Sequence, residues 1–168
     1  MIVIVSGLPG SGKSFFASRL AAVTNALYFN SDKIRAERDA KGKYSFKDRL
    51  SIYLYIADQT GKAVDKGQHV VVDATFYHHA MRDLFIELAA MHQTPIFMIL
   101  VEADEALIRE RLSKPREFSE ADFGVYESLK EQFEKIDMPC LRLKSGTDNI
   151  EDMIKQAKEY ISKAHDGN

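Results

Sequence analysis

A glycine-rich stretch near the amino terminus carries the strongest chemical signal in the sequence. Residues 7–14 read Gly-Leu-Pro-Gly-Ser-Gly-Lys-Ser and match the pattern G-x-x-x-x-G-K-[ST] at every position. Glycines let the backbone turn tightly and bring successive N–H groups close to phosphate oxygens. Lys13 is expected to reach the β- and γ-phosphates, and the Ser14 hydroxyl to ligate Mg²⁺. The pattern therefore predicts a site for ATP, or another nucleoside triphosphate, together with Mg²⁺.

The elements that flank this loop fit the prediction. Ile2 to Val5 are all β-branched and apolar, which is typical of a strand buried on both faces. A helical pattern begins near Lys13 and runs to Val23, and the free N–H groups at a helix start attract anions. The residues predicted to surround the phosphates are Gly7, Leu8, Pro9, Gly10, Ser11, Gly12, Lys13 and Ser14.

A second group of candidate residues follows the predicted second strand, residues 26–29. Asp32 and Arg35 are one helical turn apart, so both side chains can face the same cleft. Asp32 is placed to accept the proton of an attacking hydroxyl, and Arg35 to hold an acceptor phosphate or the transferring phosphoryl group. The alternative makes Asp32 a helix cap and Arg35 a solvated charge. The phosphate-binding loop nearby favours the catalytic interpretation.

The predicted third strand, residues 70–72, points to a third group. Because ligands gather at the carboxyl ends of parallel strands, Asp73 is expected to hold a magnesium-bound water or to steady the acceptor. Asp73 and Ser14 are therefore the predicted magnesium residues. Thr75 is a further acceptor-binding candidate, with a plain helix or turn cap as the alternative. Arg82, on the next helix, is expected within reach of the same cleft.

Positive charge concentrates around Pro115. In a phosphoryl-transfer enzyme, a mobile lid at about residues 112–122 could bring Arg111 and Arg116 to the transition state. The alternative is a solvated basic helix end, which the helix dipole also favours.

Together these motifs resemble the P-loop kinases related to polynucleotide 5′-kinases and zeta toxins, above all their small stand-alone bacterial members. The likeness spans residues 1 to about 145. It implies a three-layer α/β/α P-loop NTPase fold with a helical lid and a five-stranded parallel sheet in the order 2-3-1-4-5. It matches Asp32 to the general base, Arg35 to the acceptor-phosphate contact, and Arg111 and Arg116 to the lid arginines. These last two lie farther apart in sequence than is usual in polynucleotide kinases.

The remaining pattern alternates strands with helices, which indicates a parallel α/β sheet covered on both faces. Further strands are predicted at residues 96–101 and 141–143, and helices at residues 33–38, 46–66, 79–91, 105–112, 119–136 and 150–161. The helix predicted at residues 119–136 is expected to begin at a capping box formed by Ser119 and Asp122. The tail, residues 163–168, is expected to fray. Inward-facing positions are predicted at Leu50, Leu54, Ala57, Gly61, Val64, Leu84, Leu88 and Met91.

Composition sets broad limits. A chain of 168 residues with 45% hydrophobic and 29% charged residues is expected to form one domain, residues 1–168. A formal net charge of −2 gives no global attraction to nucleic acid or membranes. The single Cys140 fits a reducing compartment and is interpreted as a small core residue, so a cytoplasmic location is expected. His78 and His79 are interpreted as surface residues, since no Cys or further His supplies metal-ligand spacing.

Two functions compete. The first is a kinase that moves the γ-phosphoryl group of ATP to an alcohol, either a nucleic-acid 5′-hydroxyl or a small metabolite or nucleotide-sugar. The second is a nucleotide-binding regulatory module without phosphotransfer. A polynucleotide acceptor would need a basic channel, and the lysine- and arginine-rich residues 33–47 are better interpreted as a solvated loop. A GTPase is disfavoured because the sequence has no Asn-Lys-x-Asp motif, and a larger ATPase motor would need a longer chain.

Overall fold

The fold is a single parallel sheet with helices on both faces, seen in a computed structural model that describes residues 1–165. The strands are β1 (Ile2–Ser6), β2 (Leu27–Asn30), β3 (Val70–Asp73), β4 (Ile96–Glu102) and β5 (Cys140–Lys144), in the order β2-β3-β1-β4-β5. The helices are α1 (Lys13–Val23), α2 (Ser31–Glu37), α3 (Phe46–Val64), α4 (His79–Met91), α5 (Glu105–Leu112), α6 (Phe123–Gln132) and α7 (Ile150–His165). The predicted fold class and sheet order are confirmed.

Two hydrophobic cores cover the two faces of the sheet. Ile2 and Ile4 of β1 pack into the core shared with α3 and α4, whereas Val3 and Val5 pack into the core shared with α1 and α7. All four side chains are fully buried. Successive residues of a strand point to opposite faces, so a strand between two helical layers is apolar at every position.

The pairing register sets the geometry of the functional edge. Asp73, the last residue of β3, lies opposite Val5 of β1 and opposite Asn30 of β2. The loop after β1 and the start of α2 therefore meet the end of β3 at the same edge. This is the edge at which ligands bind in open α/β sheets.

The buried face of α3 differs from the prediction. Ala57 and Gly61 are buried as predicted, but Leu54 is 51% exposed, and Ile52, Tyr53 and Ile56 face the core instead. A Cβ at Gly61 would lie 3.1 Å from Nε2 of His92, just beyond α4, so the two helices lie close together at a position without a side chain.

The predicted inward stripe on α4 is also partly wrong. Met91 is 77% exposed, and the helix instead buries Met81, Phe85 and Ala89. Leu84 and Leu88 are half-buried at the edge of the core. The true stripe is displaced by about one residue along the helix, because periodicity alone does not identify which neighbouring face is covered.

Several helix ends also differ from the prediction. The α2 cap is Asn30 rather than Ser31 or Asp32: its side chain accepts from the N–H of Lys33. Asp122 alone caps α6, so residues 113–122 form a loop, here called the lid loop, instead of a helical lid. α7 continues to His165, and the rest of the tail predicted to fray lies outside the described residues. Of the helices in residues 1–165, none is long and apolar enough to cross a membrane.

Candidate active site

The glycine-rich loop joins β1 to α1 and presents Lys13 at the helix start. Gly12 caps α1 in the left-handed region, with φ +88°, a conformation in which side chains other than glycine are strained. At Gly7 a Cβ would lie only 2.5 Å from the carbonyl oxygen of Val101. Lys13 is 9% exposed, and no carboxylate within residues 1–165 forms an ion pair with it. A buried, unpaired ammonium beside free helix N–H groups is suited to bind phosphate.

A polar network connects this loop to the ends of β2 and β3. Asp73 is fully buried, and its Oδ2 accepts hydrogen bonds from the Tyr28 hydroxyl at 2.6 Å and from the Asn30 amide at 2.7 Å. The same Asn30 nitrogen lies 3.3 Å from Ser14 Oγ. Burial and the charge of Asp73 raise the pKa of Tyr28 far above its usual value, so the hydroxyl stays a neutral donor.

The residues in this network fit a magnesium ion. Asp73 Oδ1 is buried and has no hydrogen-bond partner, although its other oxygen has two. A buried carboxylate oxygen without a partner is costly unless a ligand completes it. Oxygen ligands from a hydroxyl and a carboxylate are those that Mg²⁺ prefers. Ser14 and Asp73, the two predicted magnesium residues, thus lie at one end of a shared network.

A small cavity of about 120 Å³ contains two of the four predicted acceptor residues, Arg35 and Thr75, but neither Asp73 nor Arg82 lines it. Lys13, Asp32, Arg35 and Thr75 all line it. Arg35 Nη1 donates to Asp32 Oδ1 at 2.9 Å, and the Arg35 side chain is only 6% exposed against 34% for Asp32. The carboxylate of Asp32 is therefore accessible from the cavity, while the Arg35 guanidinium that binds it is buried.

The lid loop closes the outer side of this cavity through Tyr44. The Tyr44 hydroxyl donates to Glu120 of the lid loop at 2.5 Å. The guanidinium carbon of Arg35 lies 5.1 Å from the centre of the Tyr44 ring. Burial and the hydrogen bond to Glu120 raise the pKa of Tyr44 to about 12. The contact links the segment before α3 to the lid loop, and both segments line the cavity.

The two predicted lid arginines have different surroundings. Arg111, near the end of α5, donates to the carbonyl of Gly10 at 3.2 Å, to Ser145 Oγ at 2.9 Å and to the carbonyl of Gly146 at 2.9 Å. Arg116, in the lid loop, donates to Ser119 Oγ and to the carbonyl of Ala121. Arg111 thus supports the phosphate loop directly.

A second cavity of about 690 Å³ extends from the phosphate loop in the other direction. It is bounded by the glycine-rich loop and α1, by Arg111 at the end of α5, by Arg116 of the lid loop, and by the segment between β5 and α7. Its volume falls in the range of small-molecule sites. The phosphate loop therefore lies between two cavities, a large one and a small one.

The structure places Arg82 away from the cleft, so its predicted acceptor role is not supported by its position. Arg82 is 4% exposed and donates to the carbonyls of Phe76 at 2.9 Å and Lys135 at 2.8 Å. Phe76 has φ +53°, an unusual conformation for a residue with a side chain. Arg82 therefore holds a turn that follows Thr75, and does not face the acceptor cavity.

The adjacent histidines are more connected than the sequence suggests. Glu134 accepts from His79 at the backbone N–H and at ring Nδ1, and lies 3.4 Å from His78 Nε2. His78 Nδ1 accepts the N–H of Ala80 and so caps α4. Because Nδ1 is an acceptor, a neutral His78 ring carries its proton on Nε2. That nitrogen is the one that a metal ion would have to bind. The cluster therefore fits a hydrogen-bonded contact between the start of α4 and Glu134 better than a metal site.

Sequence reasoning missed five residues of the site region: Tyr28, Asn30, Tyr44, Arg49 and Glu120. Asn30 carried a signal, since it ends β2 at the same edge as Asp73. The others depend on contacts between distant segments.

Comparisons with known proteins agree with this geometry. The model of the AAA_33 family, described as an AAA domain, matches residues 2–136. Similar solved structures include Kti12 of Chaetomium thermophilum with ADP-AlF3, at 22% identity over 98% of both chains with a TM-score of 0.75. The Mycobacterium tuberculosis APS kinase CysC with AMPPNP and APS shares 18% identity over 96% of both chains, with a TM-score of 0.73.

A gluconokinase from Sinorhizobium meliloti is similar at 15% identity over 99% of this chain and 97% of that one, with a TM-score of 0.73. At these identities the structures establish a shared fold. The family match covers most of the chain, from the first strand to the segment beyond α6. This protein is therefore a member of the AAA_33 family of P-loop domains.

Proposed function

We propose that this protein is an ATP-dependent kinase that transfers the γ-phosphoryl group of ATP to the hydroxyl of a small acceptor. One observation carries the proposal: Lys13 of the phosphate loop and the carboxylate of Asp32 line the same small cavity. A phosphate-binding cation and a proton acceptor are thereby held within one acceptor-sized space. The similar structures include a sugar kinase, a gluconokinase and an APS kinase, which supports a small-molecule acceptor.

In this mechanism the amides of the loop and the Lys13 ammonium hold the β- and γ-phosphates in the large cavity's mouth. Asp32 accepts the acceptor's hydroxyl proton as its oxygen attacks the γ-phosphorus. The bond from that phosphorus to the β–γ bridging oxygen breaks, and ADP leaves. Arg35, bound to Asp32, keeps the carboxylate oriented and adds positive charge beside the transferring group.

The remaining predicted residues have supporting roles in the proposal. Mg²⁺, held through Ser14 and Asp73, would neutralise phosphate charge when bound. Thr75 faces the acceptor from the cavity wall. Arg116 lines the large cavity together with Lys13, so we assign it to the transferring phosphoryl group. Arg111 supports the loop instead.

The narrower resemblance to polynucleotide 5′-kinases and zeta toxins belongs to this proposal as well. It rests on the Asp32-x-x-Arg35 spacing and on the lid arginines. The similar structures do not single out that group.

The test is the Asp32→Asn variant, with Asp58→Asn on the exposed side of α3 as the matched control. Transfer of label from ATP to a panel of hydroxyl compounds should fall by about 10²- to 10⁴-fold in the first variant and stay unchanged in the second. The dissociation constant for MgATP should stay within about threefold in both, because Asp32 does not belong to the phosphate loop.

Unchanged transfer in Asp32→Asn would remove the proposed base. ATP binding without transfer to any acceptor would instead favour the nucleotide-binding regulatory module.

A further inference from the structure

A third cavity adjoins the small acceptor cavity and carries chemistry of its own. This groove has a volume of about 690 Å³ and runs between α3, the start of α4 and α6. It shares part of its wall with the acceptor cavity, namely Tyr44, Arg49, Val125 and Leu129. The two spaces therefore meet at Tyr44 and Arg49.

Arg49 lies where the groove and the small acceptor cavity meet, and most of its N–H donors have no partner within residues 1–165. Its Nε donates to the carbonyl of Tyr44 at 2.9 Å, which fixes the guanidinium. Within residues 1–165 neither Nη1 nor Nη2 makes a hydrogen bond or an ion pair. A positioned guanidinium with two free nitrogens can donate two parallel hydrogen bonds to a carboxylate, sulfate or phosphate.

Aromatic side chains line the groove next to this guanidinium. Tyr44 is 38% exposed and Phe46 is 44% exposed, so both offer ring surface to a ligand. Phe46 packs edge-on against His78, with 4.8 Å between ring centres, which holds its orientation. Exposed rings beside an arginine are suited to hold a planar ring system by stacking.

The carboxylates that also border the groove are already engaged. Asp122 accepts the N–H of Val125 as the cap of α6. Glu134 is bound by the two adjacent histidines. Arg49 is the only lysine or arginine among the described residues that line the groove, so its free Nη1 and Nη2 are the donors that the groove offers to an anion.

We infer that the acceptor carries, besides its reacting hydroxyl, an anionic group that binds Arg49 and a planar ring that lies against Tyr44 and Phe46. The acceptor is thus a compound of single-nucleotide size and chemistry. A neutral monosaccharide has neither the anionic group nor the planar ring that Arg49, Tyr44 and Phe46 would bind. This inference rests on the proposed kinase function, because the groove continues the proposed acceptor site.

The test separates ring from anion by using matched probes. Binding of adenosine 3′-monophosphate, adenosine, 2-deoxyribose 3-phosphate and gluconate would be measured by calorimetry on the full chain, saturated with Mg²⁺ and a non-transferable ATP analogue. The 3′-nucleotide has hydroxyl, anion and ring, and should bind at least about tenfold tighter than each of the others.

Variants assign the effect to the groove. Arg49→Gln should weaken the 3′-nucleotide about tenfold and leave adenosine nearly unchanged, while Arg49→Lys should restore part of the loss. Phe46→Leu should weaken both ring-bearing probes and spare the sugar phosphate. Lys62→Gln, farther along α3 and paired with Asp58, is the control. MgATP affinity and the thermal midpoint report whether each variant is folded.

Equal affinity for the 3′-nucleotide and gluconate, or no effect of Arg49→Gln, would overturn the inference even if the protein transfers phosphate. A dinucleotide that binds more than about tenfold tighter than the 3′-nucleotide would overturn the single-nucleotide size. Arg49-dependent binding without transfer would support the groove while rejecting the kinase.

Discussion

The side-chain Nδ2 of Asn30 donates to Asp73 Oδ2 at 2.7 Å and lies 3.3 Å from Ser14 Oγ. The side-chain Oδ1 of Asn30 accepts from the N–H of Lys33 and so caps α2. One side chain therefore connects the proposed magnesium residues to the helix that carries Asp32 and Arg35. Partners of this kind orient metal ligands without binding the ion.

Replacing Asn30 by Ser should separate these two roles. Serine is a good helix cap, so α2 should remain, but the shorter hydroxyl cannot reach Asp73. We expect the magnesium concentration for half-maximal activity to rise by about tenfold or more, with the thermal midpoint nearly unchanged. Activity titrations with Mg²⁺ check this. A normal magnesium requirement in Asn30→Ser would show that Asp73 needs no support from this residue.

Gly12→Ala should abolish ATP binding as well as destabilise the fold. The position has φ +88°, and the new Cβ would lie 3.0 Å from Ser145 Oγ and 3.1 Å from Arg111. Gly67→Ala is the matched control, since that residue has φ +74° but nothing within 4 Å. Both variants should lose about 1–2 kcal/mol of unfolding free energy from backbone strain. Loss of ATP binding in calorimetry should be confined to Gly12→Ala; comparable losses in both would point to a general effect of strain.

Arg82→Ala should be strongly destabilising. The buried guanidinium satisfies the carbonyls of Phe76 and Lys135, which the variant would leave without donors. We expect a loss of about 3 kcal/mol in denaturant unfolding, against less than about 0.5 kcal/mol for Arg109→Ala on the exposed side of α5. An unfolding free energy equal to that of the unmodified protein would contradict the structural role given to Arg82.

Stability should fall in acid partly through Glu134. The hydrogen bond from the backbone N–H of His79, and then that from its ring, hold the pKa of Glu134 below the usual range of a glutamate. A carboxylate with a lowered pKa in the folded state stabilises the protein above its unfolded pKa, and this contribution is lost as pH falls from there toward the folded pKa. Glu134→Gln should therefore show a smaller drop in thermal midpoint between about pH 5 and about pH 3.

Glu131→Gln, an exposed position of α6, provides the comparison for that pH series. A drop in Glu134→Gln as large as in the unmodified protein would show that other groups account for the acid sensitivity.

Local patterns predicted the elements and the phosphate loop, because each depends on residues close together in sequence. The loop motif, the apolar strands and the position of Asp73 after β3 needed no tertiary information. Asp32 and Arg35 could be paired because one helical turn separates them, and the structure shows both lining the cavity that contains Lys13.

Contacts between distant segments were not predictable in this way. Helical spacing placed Ala57 and Gly61 of α3 inward, but the burial of Ile52, Tyr53 and Ile56 in place of Leu54 depends on packing against other parts of the chain. The position of Arg82 depends on the segment after α6 returning to pass over α4. Tyr44 contacts Glu120, which lies 76 positions farther along the chain. Residues chosen for charge and nearness along the chain can therefore belong to the scaffold.

The alignment of Asn30 and Val5 with Asp73 across three adjacent strands has an evolutionary consequence. A one-residue insertion within any of these strands would reverse the facing of every later side chain in that strand, and so dismantle phosphate and metal recognition together. The segments before α3 and after α5 lie outside the ladder, so a change in their length leaves the register of these three strands unchanged. Because both segments line the small cavity, remodelling them would change the wall of that cavity without shifting the glycine-rich loop relative to Asp73.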